Sequence, residues 1–249
     1  MNQTLVVADR IVTGFAKDGS PEILSEAAIL VQDDTIAAIG SVDTLRRKHP
    51  AAHEIGGRGR VAIPGLINAH HHVGLTPFQL GARDQPLELW FAERVAMRDV
   101  NPRLDTLFSA FEMIASGVTT VQHLHSRAPG DTDAVLARAN AIIGSYAELG
   151  MRASYSFALR DQNRMIYADD EAFVASLPSP LRAPASAYLA GFGLPLTEQI
   201  GVFHALRAQW ANTPLIGIQI APSNLHWLSD AGLESAARMA EETGAPIHM

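Results

Sequence analysis

The chain opens with short runs dominated by apolar and β-branched residues, "TLVVADRIVTG", "AAILVQDDTIAAIG" and "HEIGGRGRVAIPG", broken by polar turns at Lys17-Asp18-Gly19-Ser20 and Gln32-Asp33-Asp34. Such runs, bounded by Asp and Gly, predict strands, and their close spacing predicts a small antiparallel sheet. From residue 61 the rhythm changes. Apolar strands at "VAIPGLINAH", "VTTVQHLH", "RASYSFAL", "LIGIQIAP" and the start of "APIHM" alternate with helical stretches over 86–99, 103–116, 131–149, 197–211 and 230–243. Apolar strands alternating with helices predict a parallel sheet covered by helices. The last helix has an N-cap candidate in Ser229, an apolar face through Leu233, Ala236, Ala237 and Ala240, and Gly244 just past its end.

Residues 161–196 form a long proline-bearing insertion after the third of these strands. It reads either as a lid over an active site or as a mobile connector. The final "GAPIHM" stops inside a predicted strand, so the chain is expected to be the N-terminal part of a longer protein. On its own such a piece should expose a strand edge and apolar helix faces, and should aggregate.

Composition narrows the chemistry. The 249 residues, 47% hydrophobic, suffice for a sizeable core, and the formal charge of −7 is spread without an acidic or basic block. That argues against a nucleic-acid partner. No leader-like segment and no apolar run near the roughly 18 residues of a membrane span is found, so no membrane partner is expected and the cytoplasm is the expected location. With no cysteine, His, Asp and Glu are the available metal ligands. The glycine clusters "GGRG" and "GFG" lack the strand-turn-helix setting of a phosphate loop.

The segment "INAHHHVG" carries the strongest chemical signal. Side chains at i and i+2 of a strand share a face, so His70 and His72 can turn together to one side while His71 points to the other. Two neutral imidazoles make a seat for one divalent metal, Zn²⁺ or Fe²⁺. The same alternation pairs His123 with His125 at the end of the next strand. His125 is a candidate substrate contact, and a strand-end histidine bonded to a nearby loop is the alternative. Arg160 either binds an anionic group or pairs with Asp161. Trp90 and Trp227 read as packing residues.

"VAIPGLINAHHHVGLTPF" resembles the signature of the amidohydrolase superfamily, in which a Pro-Gly-apolar-apolar-(Asn/Asp)-x-His-x-His run forms the first barrel strand. "PLELWF" at 86–91, "SGVTTVQHLH" at 116–125 and "APSNLHWLSDAGLESAARMAEETGAPIHM" resemble the branch containing adenosylhomocysteine, guanine and cytosine deaminases and the chlorohydrolases. The resemblance implies an α/β (β/α)8 TIM-type barrel, of which residues 62–249 form about the first half, preceded by a β-rich segment, residues 1–61, belonging to a small β-sandwich. It implies that His70 and His72 are two metal ligands, and it places Gln79 where several deaminase relatives carry a polar or basic residue, a candidate for a substrate heteroatom or simple loop polarity. A further histidine and a proton-shuttling glutamate on the fifth strand, a histidine on the sixth and an aspartate on the eighth complete the set, and these catalytic residues are expected beyond residue 249. In this branch the fifth-strand ligand commonly lies two residues past the histidine of "PIH", with His248 itself as the fallback.

Two departures matter. Two-metal members often bridge their cations with a carboxylated lysine, whereas only Lys17 and Lys48 are lysines here. A single-metal site is therefore favoured. Relatives frequently carry Pro-His-(Ala/Ser)-Pro-Tyr on the fourth strand, where this chain has Pro222-Ser223-Asn224-Leu225-His226. Asn224 or His226 then becomes the candidate substrate contact in place of the missing histidine. The implied activity is hydrolytic deamination of a small heterocyclic amine such as an aminopurine, aminopyrimidine or pterin, with a homodimer as the relatives' usual state. Chloride or alkylamine displacement, cyclic-amide hydrolysis, and a non-catalytic vestigial barrel are the alternatives.

Overall fold

A computed structural model describes residues 2–249 apart from 73, 76–78, 87, 88, 91, 92, 94–96, 98, 127 and 128. The chain forms two compact units, Met1–Gly65 and Leu66–Met249.

The first unit is a four-stranded sheet in the order β3-β2-β1-β4, built from β1 (Gln3–Phe15), β2 (Pro21–Gln32), β3 (Thr35–Ser41) and β4 (His53–Ala62). β1, β2 and β3 meander antiparallel as their turns predict. The sheet is mixed rather than antiparallel, because β4 runs parallel to β1. The chain crosses over through α1 (Val42–Lys48) between β3 and β4, and Leu45 of that helix packs with Leu5, Val7, Ala28 and Leu30 on one face of the sheet. A parallel neighbour requires such a crossover.

The predicted strand "VAIPGLINAH" is divided. Val61 and Ala62 pair with Arg10 and Ile11 of β1, whereas Leu66 begins β5 (Leu66–His71) in the second unit. Between them stands Pro64, which has no N–H to donate to a ladder. The break thus falls at Gly65/Leu66 and not at the expected 61/62.

In the second unit β5, β6 (Val118–His125), β7 (Arg152–Leu159) and β8 (Ile216–Ile218) form a parallel sheet in chain order. The expected fourth strand is also interrupted: β9 (Ala221–Pro222) pairs again with β7 after a gap at 219–220, and Ile220 bridges to Ile247 at the start of the expected fifth strand. The helices whose bounds are described are α2 (Pro102–Ala115), α3 (Thr132–Leu149), α4 (Asp170–Ser176), α5 (Ser179–Ala190), α6 (Leu196–Trp210) and α7 (Asp230–Thr243). The helix expected over 86–99 falls largely outside the described residues. The insertion at 161–196 carries two helices, α4 and α5, where only a lid or connector was expected. Side-chain caps explain several boundaries: the oxygens of Asn101, Asp131 and Ser229 accept backbone N–H groups at the starts of α2, α3 and α7. Gly150 and Gly244 end α3 and α7 in the left-handed conformation.

The two faces of the parallel sheet differ. Val121, Tyr155, Phe157 and Leu159 pack with Ile142, Ile143 and Tyr146 of α3 and Val202, Phe203 and Leu206 of α6. His123 lies on this helix-covered face, fully buried, with Nδ1 2.9 Å from the Tyr146 hydroxyl. On the opposite face Gln122 reaches across to Ser156 and Gln219 on the neighbouring segments.

Two outcomes are expected. Leu104, Phe108, Phe111 and Ile114 follow helical spacing on α2 yet are exposed, Phe111 by 60%, and Ile67 of β5 is 69% exposed. The 249-residue chain should therefore self-associate with rising concentration, and replacing Leu104 and Phe111 by Gln should suppress this in light scattering. His123 has its pKa held well below the ordinary imidazole value of 6.5, first by burial and then by His125, His71 and His72. The unfolded chain takes up that proton first, so stability should be full above about pH 6.5 and fall below it by up to about 1.4 kcal/mol per pH unit. Thermal melts at pH 7.5 and 5.5 check this; equal midpoints would contradict it.

Candidate metal centre

β5 is out of step with β6 at the residues that matter. Asn68 lies beside Val121 and His71 beside His123, so three steps on β5 match two on β6. This is a β-bulge. Asn68 reaches the helix-covered face, where Nδ2 lies 3.5 Å from Sδ of Met113 in α2, and its Oδ1 accepts the backbone N–H of His70 at 3.3 Å. His71 faces the same way, its ring centroid 5.2 Å from that of His123. The extra residue in between turns His70 and His72 toward each other and away from His71, with ring centroids 4.5 Å apart.

Their Nε2 atoms are 2.9 Å apart, and Nδ1 of His72 lies 2.8 Å from the carbonyl oxygen of Leu124. Nε2 of His248 lies 2.9 Å from Nδ1 of His70. A carbonyl only accepts, so Nδ1 of His72 carries the proton and its Nε2 presents a lone pair. His70 then donates from Nε2 to that lone pair and accepts at Nδ1 from His248. Among neutral imidazoles every bond in this chain is satisfied in one direction only.

The pair fits a divalent cation. Nitrogens about 2.0–2.1 Å from one ion and at roughly a right angle are separated by about 2.9 Å, and the second ring nitrogen of a ligating histidine commonly donates to a carbonyl, as His72 does to Leu124. For both Nε2 atoms to turn to a cation, the His70 proton moves to Nδ1 and its bond to His248 reverses, with no net change in charge. His248 therefore touches the pair through the far nitrogen of His70. Burial, and next the His70 ring, lower its pKa. Among the described residues no group of three or more His, Asp or Glu side chains is gathered to hold a metal.

The other candidates are dispersed. His125 is buried on the helix-covered face with Nδ1 3.2 Å from the Tyr155 hydroxyl. It shares with His72 a cavity of about 430 Å³ that is also lined by His123, Arg138, Tyr188 and Phe192, the last two from the insertion. Gln79 is exposed in a turn. Arg160 does not ion-pair with Asp161: its guanidinium lies 4.2 Å over the Trp227 ring and donates to the Asn163 carbonyl, and burial lowers its pKa to about 10. Asp161 instead accepts from the backbone N–H and hydroxyl of Ser229, at 2.8 and 2.6 Å. Asn224 spends Oδ1 on the backbone N–H groups of His226 and Trp227. His226 is exposed, its ring against Tyr167. Ser223, at the position of the relatives' histidine, donates to the Leu159 carbonyl and so ties β9 to β7. Sequence reasoning did not find the Asn68 bulge, the Leu124 carbonyl or the polar set Gln122, Ser156 and Gln219. The alternation of Gln122 with His123 was the one available signal for the last of these.

A model of the Amidohydrolase family matches residues 61–249. A bacterial imidazolonepropionase-like composite domain matches residues 27–52. The chain is 26% identical over 231 residues to 5-methylthioadenosine/S-adenosylhomocysteine deaminase 1 of Syntrophus aciditrophicus, covering 90% of this chain and 44% of that protein. An atrazine chlorohydrolase from Arthrobacter aurescens TC1 complexed with zinc superposes with a TM-score of 0.75 at 22% identity, over 98% of this chain and 52% of that one. An adenosine deaminase from Xanthomonas campestris with bound zinc gives 0.66 at 19% identity, over 99% and 48%. The chain thus spans about half the length of these proteins, and the structural likeness is one of fold, α/β with a parallel sheet. The family match takes in the whole parallel sheet and the histidine pair on its first strand: the chain belongs to the Amidohydrolase family.

Proposed function

We propose that this chain supplies the first part of a metal-dependent hydrolase that removes ammonia from a small heterocyclic amine. The observation that carries the proposal is the His70–His72 pair, whose Nε2 atoms stand 2.9 Å apart with His72 held by the Leu124 carbonyl. In this reading His70 and His72 hold one divalent cation, and Zn²⁺, present in both structural neighbours described above, is the first metal to test, with Fe²⁺ second. A bound cation supplies Lewis-acid chemistry and makes hydroxide available near neutral pH.

The chain's own residues orient and exclude. The Leu124 carbonyl fixes the tautomer of His72, and the His70–His248 bond holds the first ring against the segment that bridges to Ile220. The cavity beside His72 is roomy enough for part of a small ligand, within the usual range of about 300–1,000 Å³. The proton-handling carboxylates implied by the family resemblance have no position assigned in residues 1–249, so the activity is proposed for the protein that carries them.

An amino leaving group is favoured over chloride because the similar curated proteins include deaminases of 5-methylthioadenosine, S-adenosylhomocysteine and 5′-deoxyadenosine. The test is ammonia release by the protein at its natural length from those three compounds, guanine, cytosine and a pterin, with chloride release from atrazine in parallel. Ammonia from at least one aminopurine is expected, abolished by chelation and restored by Zn²⁺ or Fe²⁺. His70→Ala and His72→Ala should each lower kcat/KM by at least about 100-fold. Chloride release alone would shift the reading to the chlorohydrolase alternative, and inertness toward the panel with metal bound would favour a non-catalytic role.

A further inference from the structure

The segment that follows the histidine pair is gripped by one side chain from another element. Asp105, in the first turn of α2, accepts the backbone N–H of Gly74 with Oδ2 at 2.8 Å and that of Leu75 with Oδ1 at 2.7 Å. These are charge-assisted bonds to the peptides two and three residues beyond His72. The approach is close enough to demand glycine: a Cβ at Gly74 would stand 1.8 Å from the backbone oxygen of Asp105 and 2.8 Å from its carbonyl carbon.

The turn of α2 that carries Asp105 is itself anchored. Asn101 caps the helix by accepting from the N–H groups of Arg103 and Leu104, and the Thr106 hydroxyl donates to the Pro102 carbonyl. Farther along the same helix, Met113 is in the core and meets Asn68, two residues before His70. The His70–His72 stretch is therefore tied to one helix at both ends, through Asn68 to Met113 and through Gly74 and Leu75 to Asp105.

We propose that Asp105 is a positioning residue for the histidine pair, setting the end of β5 so that His70 and His72 present both Nε2 atoms to one cation. Asp105 itself is not a ligand, since both its oxygens are committed to backbone N–H groups. The proposal rests on the metal reading given above and adds a residue that neither motif nor spacing indicates.

The test is Co²⁺ binding to the metal-free protein at its natural length, followed by visible absorption, with apo-protein melting measured alongside. Asp105→Ala should weaken Co²⁺ at least about 10-fold, as loss of an outer-shell partner does. Asp105→Asn should follow it, because an amide nitrogen would face one of the two N–H donors, whereas Asp105→Glu should recover part of the affinity. Gly74→Ala should give a similar loss, and the Gly74→Ala/Asp105→Ala double variant little more than either single one. Asp161→Ala, which frees the start of α7 in a comparable way, is the control: it should lower the melting temperature and leave Co²⁺ affinity within twofold. Affinity in Asp105→Ala equal to wild type, or reduced no more than in the Asp161→Ala control, would overturn the positioning role alone. If the His70→Ala/His72→Ala double variant binds Co²⁺ as tightly as wild type, the metal reading falls and this proposal falls with it.

Discussion

The geometry of the candidate centre depends on one unmatched residue between Asn68 and His71. In an unbroken strand, Asn68, His70 and His72 would share a face, and Asn68 is on the side of the helices, against Met113. The histidines would then turn toward the helices, where each ring nitrogen left without a partner would cost on the order of 1–3 kcal/mol. The bulge changes the phase of the strand instead. Asn suits the position because its side-chain oxygen can bond the backbone two residues ahead, as it does with the His70 N–H.

The same phase change sorts the surrounding chemistry. His71 and His123 end up against the helices, where burial lowers the pKa of each and keeps it neutral. Burial likewise raises the pKa of the Tyr146 and Tyr155 hydroxyls. Four aromatic polar groups can share this layer because they bond one another, His123 to Tyr146 and His125 to Tyr155. The sheet therefore separates a layer of bonded aromatic polar groups beneath the helices from a face bearing Gln122, Ser156 and Gln219.

Much of this was legible in the sequence. The helices over 102–115, 132–149, 196–210 and 230–243 fall within a residue or so of their expected bounds, since caps and apolar spacing act locally. The opposite directions of His71 and of the His70–His72 pair agree with alternation, whereas the face that the pair takes is set by the bulge after Asn68. What escaped notice depends on contacts between distant segments. The parallel pairing of β4 is decided by where α1 packs, and the division at Pro64 by which ladder takes Val61. Asn224 and His226 look like free polar groups in a string of letters, but Asn224 closes a turn on its own backbone and the carbonyl of His226 accepts from Gln162 and Asn163. Asp105 sits thirty-one positions from Gly74, and nothing in either neighbourhood announces the bond.

The one-way row of bonds from His248 through His70 and His72 to Leu124 gives the two margins of the sheet a common electrical sense. Were a cation to take both Nε2 atoms, the His70 link would reverse and His248 would carry its proton on its other nitrogen. Nitrogen chemical shifts separate the two tautomers, so the state of the pair would be read at position 248, outside the pair itself.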